Sequence, residues 1–212
     1  MSKRRIILGD THGRSFWKLI KEKEEWDEMI FIGDYFDSFD FSGIEQIANF
    51  KDIVEFKKSS DKPVILLIGN HDHHYFPEIG YSGTSGYQAG IHTDIEFVIN
   101  ENREHLRMAY AFDDVLCSHA GVGEAWMERI VRNKLVEKLP DYTAEAVAEW
   151  TNEIWKYKPL LFKFTGEEPT GNNMGQTPIW IRPLSLTKDS HELRKTMKQV
   201  VGHTRQHKID LD

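Results

Sequence analysis

The chain has 212 residues, of which 40% are hydrophobic, enough for one sizeable buried core. Its formal net charge of −7 argues against a broad basic face for nonspecific nucleic-acid binding. No stretch approaches the roughly 18 continuous apolar residues of a membrane span, and the polar start leads into a strand too short for a signal peptide. A single cysteine excludes an internal disulfide framework and is typical of a reducing compartment, so we expect a cytoplasmic protein.

Three apolar runs in the first third of the chain each end in glycine and are followed by metal-ligand residue types. These segments are Ile6–Gly13, Met29–Asp37 and Val64–Asp72. Short, continuous, bulky apolar runs are typical of strands buried on both faces of a parallel sheet. Helical patterns over 14–26 and 43–56, the second capped by Ser42, separate the runs. This β-α-β-α-β order predicts right-handed crossovers and a mainly parallel inner sheet.

The polar residues after these runs are expected to meet, because open parallel sheets bind ligands outside the carboxyl ends of their strands. The converging residues are Asp10, His12, Asp34, Asp37, Asn70, His71 and Asp72. So many carboxylates need cations to neutralise them, and mixed imidazole and carboxylate ligands suit zinc, manganese or iron better than calcium. The alternative is that each loop is an independent turn, in which Asp and Asn are present for their turn propensity. That alternative accounts for one such loop more easily than for three matched ones.

The middle of the chain predicts a loop, a helix and a hairpin. Residues 73–90 are rich in Gly, Ser, Tyr and His and predict a long loop at the mouth of the site, with His73, His74 and His92 at its rim. A helical pattern covers 87–102. Strand-like runs at 107–112 and 115–117 flank Asp113 and Asp114, which indicates a hairpin. The second of these runs contains Cys117, interpreted as a packed strand residue, and delivers another ligand type directly after it.

The last third predicts helices and one more strand. Helical patterns over 123–139 and 143–155, the second capped by Thr143, are rich in Trp and branched aliphatic residues, which suits a small helical cap. A Gly-rich and Asn-rich loop covers 164–175. Residues 188–199 predict a polar helix. Val200–Thr204 then repeats the pattern of strand, glycine and ligand, with His203 as the ligand type.

Five blocks in chain order resemble the calcineurin-like metallophosphoesterase superfamily, and within it the bacterial and phage branch of the phosphoprotein phosphatases. The blocks are Gly9–Gly13, Gly33–Asp37, Gly69–Asp72, Ser118–Gly121 and Gly202–Thr204. The resemblance implies an α/β fold, a metallophosphoesterase-type β-sandwich of mixed sheets with a parallel βαβ core, flanked by helices. It covers nearly the whole chain, so we expect one domain over 1–212, with the helical cap inserted at about 122–176.

The resemblance also implies a centre of two divalent transition-metal ions. Its ligands would be Asp10 and His12 for the first ion, Asp34 as the bridge, and Asn70, His119 and His203 for the second. His71, oriented by Asp37, would protonate the leaving oxygen, and a metal-activated hydroxide would attack phosphorus. Manganese is the favoured metal, with iron, zinc and nickel as alternatives.

Three departures from the family pattern bear on the substrate. Ser38 and His74 stand where protein phosphatases carry arginines that clamp phosphate. Arg182, in a Trp-Ile-Arg context, is therefore predicted to bind the substrate phosphate, helped by His74 when that ring is protonated. Arg205 stands where many diesterases have a further histidine ligand.

Together these features predict a two-metal-dependent phosphatase that hydrolyses phosphomonoesters, with a phosphorylated small molecule, nucleotide or protein as substrate. The alternative is a nucleotide or nucleic-acid processing phosphoesterase, of the dinucleoside polyphosphate hydrolase or polynucleotide phosphatase type, in which Arg182 and Arg205 contact extra phosphates. A catalytically silent scaffold would have been expected to lose ligands, yet all six ligand positions are filled. The physiological substrate, the metal pair, the preference for monoesters or diesters and the oligomeric state stay open.

Overall fold

Two β-sheets form the centre of the molecule in the computed structural model, which describes residues 3–81, 84–165 and 170–205. The first sheet is parallel, in the order β1 Arg5–Leu8, β2 Glu28–Phe31, β3 Val64–Leu67 and β4 Leu106–Arg107. The second is mixed, with β5 Ala109–Phe112 antiparallel to β6 Val115–Ser118, and β6 parallel to β7 Lys198–Val200. The predicted parallel core and the predicted hairpin are confirmed.

The two sheets pack face to face through apolar side chains. Ile30 and Ile65 of the first sheet lie in one buried cluster with Cys117 of the second. Burial raises the pKa of the Cys117 thiol to about 12, so this side chain stays protonated and packs as a small hydrophobe. This contact makes the fold a β-sandwich within an α/β architecture, as predicted.

Helices cover the outer faces. They are α1 Phe16–Lys23, α2 Gly43–Ser59, α3 Asn70–His73, α4 His92–Glu101, α5 Glu124–Arg132, α6 Ala144–Tyr157, α7 Pro183–Asp189 and α8 Leu193–Thr196, with short 3-10 turns at 89–91, 103–105 and 159–162. The caps predicted for α2 and α6 are confirmed, because Ser42 accepts the backbone N–H of Glu45 and Thr143 accepts that of Ala146. Across the described ranges, no helix combines the length and apolar character needed to cross a bilayer.

The range predicted as a helical cap contains α5 and α6. Helix α6 packs directly on β5 and β6, and Trp126, Trp155 and Phe162 of this range are buried in the main core. These residues therefore form an outer layer on the second sheet. Their status as an inserted cap remains a prediction.

The polar helix predicted over 188–199 is wrong. Helix α7 ends at Asp189, whose carboxylate accepts the backbone N–H groups of Ala125 and Gly175. A short helix, α8, follows, and the chain then extends as β7 to pair with β6. Pairing and side-chain contacts with distant parts of the chain override the local helical propensity of this stretch.

Candidate metal centre and active site

Adjacent parallel strands deliver the first ligand residues to one edge of the sheet. The register pairs Leu8 with Phe31 and Phe31 with Leu66, so the loops after β1, β2 and β3 leave the sheet side by side. Gly33 has φ +100°, and a Cβ there would lie 2.3 Å from the backbone nitrogen of Gly69. Only glycine allows these two loops to approach so closely.

One group of ligand types consists of Asp10, His12 and Asp34, whose candidate ligand atoms all lie within 4.8 Å of one another. The His12 Nδ1–H donates to the carbonyl of Phe36 at 2.6 Å. This bond fixes the tautomer and leaves Nε2, 3.9 Å from Asp34 Oδ2, with a lone pair for a cation. His12 and Asp34 both have positive φ, at 43° and 58°, a left-handed conformation that residues with a side chain adopt rarely.

A second group shares Asp34 and adds Asn70, His119 and His203. His119 Nε2 lies 3.3 Å from Asp34 Oδ2, 3.0 Å from Asn70 Oδ1 and 3.2 Å from His203 Nδ1. His203 Nδ1 lies 2.8 Å from Asn70 Oδ1. As with His12, the other ring nitrogen of His119 donates, here to the carbonyl of Ile32 at 2.8 Å.

The electrostatics of this group favour positive charge at its centre. Burial opposes ionisation of Asp34, but His119 and His71 outweigh it and hold its pKa far below the ordinary range. Burial would lower the pKa of His119, yet the Asp34 carboxylate raises it to about 9. Burial and the neighbouring His119 lower the pKa of His203 to about 2. Asp34 thus stays ionised, and His203 stays neutral with a lone pair available.

The donor chemistry of both groups fits divalent transition-metal ions. Carboxylate and amide oxygens and imidazole nitrogens surround two adjoining positions, and Asp34 belongs to both. Four lone-pair donors that converge within hydrogen-bond distance cannot all satisfy one another without a cation or a proton between them. All six ligands implied by the resemblance are therefore brought together, and two ions bridged by Asp34 remain a prediction.

The partly buried His71 and the buried Asp37 form a pair beside this cluster. The His71 Nδ1–H donates to Asp37 Oδ2 at 2.9 Å, and the backbone N–H of His71 donates to Asp34 Oδ1 at 2.9 Å. Burial opposes protonation of His71, but Asp34 and Asp37 prevail and raise its pKa. Burial likewise opposes ionisation of Asp37, yet hydrogen bonds from His71 and His74 lower its pKa to about 2. Both shifts favour a protonated His71 ring beside an ionised Asp37 carboxylate.

Asp37 has two further partners that sequence reasoning missed. The Tyr75 hydroxyl donates to Oδ1 at 2.6 Å, and the Thr84 hydroxyl donates to Oδ2 at 2.9 Å. Tyr75 and Thr84 lie in the predicted loop after α3, where nothing in their local pattern distinguishes them from ordinary loop residues. Asp72, which fills the last position of its block and was expected to play a supporting part, accepts the backbone N–H groups of Asp34 and Tyr35. Its own burial and the nearby Asp34 charge raise its pKa to about 7.

The rim positions predicted for His73 and His74 are wrong, because both side chains are buried. His73 Nε2–H donates to the carbonyl of Pro159 at 3.1 Å. His74 Nε2 lies 3.1 Å from Asp37 Oδ2, and its Nδ1 lies 2.8 Å from the Thr84 hydroxyl. The fully buried ring of His74 has no surface to offer a phosphate, so the structure does not bring it to the site as a phosphate ligand.

Arg182 lies beside the loop that carries His203. Its Nη1 donates to Thr204 Oγ1 at 3.0 Å and to the carbonyl of His203 at 3.3 Å, and its Nε donates to the carbonyl of Thr170 at 2.8 Å. The guanidinium is therefore anchored at the edge of the second ligand group. Binding of substrate phosphate by Arg182 remains a prediction.

A search of curated proteins finds no match. Among solved structures, similarity is found to a protein serine/threonine phosphatase from Saccharomyces cerevisiae with similarity to human phosphatase PP5 (19% identity, TM-score 0.40, 57% of this chain and 38% of that one). Another is a metallophosphoesterase from Sphaerobacter thermophilus (12% identity, TM-score 0.34, 65% of this chain and 58% of that one). The chain thus spans less than two thirds of either structure.

The family comparison covers most of the chain and includes most of the blocks singled out above. The model of the calcineurin-like phosphoesterase family matches residues 3–199, which takes in both sheets except Val200 of β7, and five of the six ligand positions, all but His203. The chain belongs to the calcineurin-like phosphoesterases, a family of enzymes that hydrolyse phosphate esters.

Proposed function

We propose that this protein is a phosphatase that hydrolyses phosphomonoesters at a centre of two divalent transition-metal ions, with manganese favoured. The observation that carries the proposal is the position of Asp34. It belongs to both ligand groups, and its Oδ1 also accepts the backbone N–H of the proton donor His71 at 2.9 Å. When bound, the two ions would activate a water molecule and neutralise the phosphoryl oxygens.

The residues of the chain divide the remaining work. Asp10, His12, Asn70, His119 and His203 would hold the ions, with Asp34 between them. His71 Nδ1 is engaged by Asp37, so its other ring nitrogen, Nε2, would carry the proton to the leaving oxygen. Because Asp37 and Asp34 raise the pKa of His71, the charged donor form is favoured in this site.

Arg182 would bind a phosphoryl oxygen that the ions leave free. A guanidinium presents several N–H donors in a plane, so it can keep its contact with Thr204 and still reach a phosphate. One observation supports the alternative of a nucleotide or nucleic-acid processing phosphoesterase. Arg205 is exposed two residues after His203, so a second cation lies close to the same edge of the site.

A substrate panel on metal-analysed protein tests the proposal. The panel compares an aryl phosphomonoester, an aryl phosphodiester, a phosphopeptide and a dinucleoside polyphosphate, before chelation, after chelation and after manganese reloading. We expect two ions per chain and preferred hydrolysis of monoesters, abolished by chelation and restored by manganese. Preferred hydrolysis of the dinucleoside polyphosphate would select the alternative. Hydrolysis unaffected by chelation, with at most a trace of bound metal, would contradict the mechanism.

A further inference from the structure

An aromatic platform lies next to the His71–Asp37 pair. The ring of Tyr81 stacks on that of Tyr87, with centroids 4.1 Å apart and an interplanar angle of 29°. Tyr87 packs in turn against Tyr75 and His74, at 6.0 and 5.5 Å. Tyr81 is nevertheless 53% exposed, so part of its ring remains open to solvent. Tyr87 therefore packs against the protein, and the exposed part of the Tyr81 ring is accessible to a ligand.

This platform is tied to the residue that holds the proton donor. His74 and Tyr75, on which the platform rests, both contact the Asp37 carboxylate, at 3.1 and 2.6 Å. Gly86 lies against the carbonyl of Asp37, where a Cβ would come within 2.2 Å. The side-chain amide of Gln88 donates to the carbonyl of Ser38 at 3.1 Å. The segment that carries Tyr87 is therefore fixed against the segment that carries Asp37.

A further exposed ring comes from the Asp37 segment itself. Phe39, two residues after Asp37, is 81% exposed. Large apolar side chains that are left in water beside a site are typical of ligand-binding surfaces. Neither 36–41 nor 70–81 contains a lysine or arginine, whereas Asp40 and Glu78 lie within them. Both carboxylates are paired, Asp40 with Arg14 and Glu78 with Arg103, so these two segments offer a ligand aromatic faces and contain no lysine or arginine for a further phosphate.

We infer that Tyr81, supported by Tyr87, binds an aromatic ring in the leaving group of the substrate. The inference rests on the proposed phosphatase function, since His71 donates to the leaving oxygen and its surroundings therefore face the leaving group. An aromatic ring that stacks on a tyrosine face gains a favourable interaction between the two π-systems. A saturated ring of similar size cannot make that interaction. The same chemistry is offered by a tyrosine side chain and by a nucleobase.

Two substrates of matched size distinguish an effect on this subsite from an effect on overall activity. Benzyl phosphate and cyclohexylmethyl phosphate both release a primary alcohol and differ in whether the ring is aromatic. The variants are Tyr81→Ala, Tyr81→Phe and, as a control, Tyr157→Ala, whose side chain is 66% exposed on α6. We expect Tyr81→Ala to lower kcat/KM for benzyl phosphate about 5–10-fold, the scale of one aromatic contact, and for cyclohexylmethyl phosphate less than 2-fold. Tyr81→Phe and Tyr157→Ala should leave both values unchanged.

The outcomes distinguish the inference from the function on which it rests. Equal losses on the two substrates in Tyr81→Ala, or no loss on either, would overturn the subsite while leaving the phosphatase intact. Failure of the metal-loaded wild type to hydrolyse either substrate would overturn the proposed function instead. Parallel assays with a phosphotyrosine peptide and thymidine 5′-monophosphate identify the source of the ring, because only the bound ring should show the Tyr81→Ala loss. Absence of that loss from both assays also counts against the subsite.

Discussion

The side chain of Asp72 fixes the backbone of Asp34 through hydrogen bonds. Its carboxylate accepts the backbone N–H groups of Asp34 and Tyr35, each at 2.7 Å, and that of Gly69 at 2.9 Å. Asp34 has φ 58°, a left-handed conformation that a residue with a side chain adopts at some cost. The three hydrogen bonds offset that cost and fix the direction in which Asp34 points. Asp72 thus shapes the metal centre although its side chain is not among the predicted ligands.

Replacing Asp72 with Ala should destabilise the fold. The change leaves three buried N–H groups without an acceptor, and relief of the repulsion between Asp72 and Asp34 offsets only part of that loss. We expect the free energy of unfolding in urea, with chelator present, to fall by about 2–4 kcal/mol. Asp52→Ala, which removes an exposed partner of Lys18, should cost less than about 1 kcal/mol. Equal effects of the two changes would contradict the supporting role of Asp72.

His71→Asn and Asp34→Asn should separate proton donation from metal binding. His71→Asn removes the proposed proton donor, so kcat should fall by about two to four orders of magnitude while metal content stays near that of the wild type. Asp34→Asn removes the carboxylate shared by both ligand groups and should weaken retention of both ions together. Elemental analysis beside steady-state kinetics measures both effects. If the two variants lose metal equally, the separation of roles is wrong.

Arg182→Ala should lower kcat/KM for phosphomonoesters by roughly 1.5–3 kcal/mol of transition-state stabilisation, the scale of a charge-assisted hydrogen bond. A diester carries one negative charge fewer, so its loss should be clearly smaller. Arg194→Ala is the matched control, because Arg194 is exposed and contacts the carbonyl of Thr187 instead of the site. Kinetics of one monoester and one diester suffice. Equal losses on both would remove Arg182 from phosphate recognition.

His73 should make the fold sensitive to acid. Burial lowers its pKa to about 3, below the ordinary value of about 6.5. Stability from the neutral ring is complete above pH ~6.5 and is lost progressively as the pH falls toward 3, because the unfolded chain binds a proton that the folded chain refuses. His73→Gln keeps a donor for Pro159 and does not titrate. Between pH 7 and 5, wild type should lose about 2 kcal/mol more than this variant in chelator-containing urea titrations. Identical losses in the wild type and the variant would mean that His73 takes up a proton in the folded protein as readily as in the unfolded chain.

The first sheet and its ligand loops could be predicted because their signals are local. A strand such as Met29–Ile32 ends in a glycine and an aspartate within a few residues, and repetition of that pattern along the chain indicates convergence. The ligands that follow the second sheet, His119 and His203, were found in the same way. Family resemblance then assigned roles that no spacing could give.

The misplacements share a different cause. His74 looked like a rim residue, yet its partners Asp37 and Thr84 come from other segments, and burial of a polar side chain follows its partners. The helix predicted over 188–199 failed because Asp189 binds backbone groups of Ala125 and Gly175. In each case the deciding contact joins residues far apart in the chain, which local propensity does not report.

The two ligand groups differ in how much of the chain must be in place before they exist. Asp10, His12 and Asp34 all follow β1 and β2, neighbours in the first sheet, so the N-terminal strands supply every ligand of the first group. The second group also requires His119, which follows β6, and His203, which follows β7. His203 is synthesised long after His119. Retention of an ion by the second group would therefore report that Asp34, which follows the first sheet, has been joined by the histidines that follow strands of the second sheet.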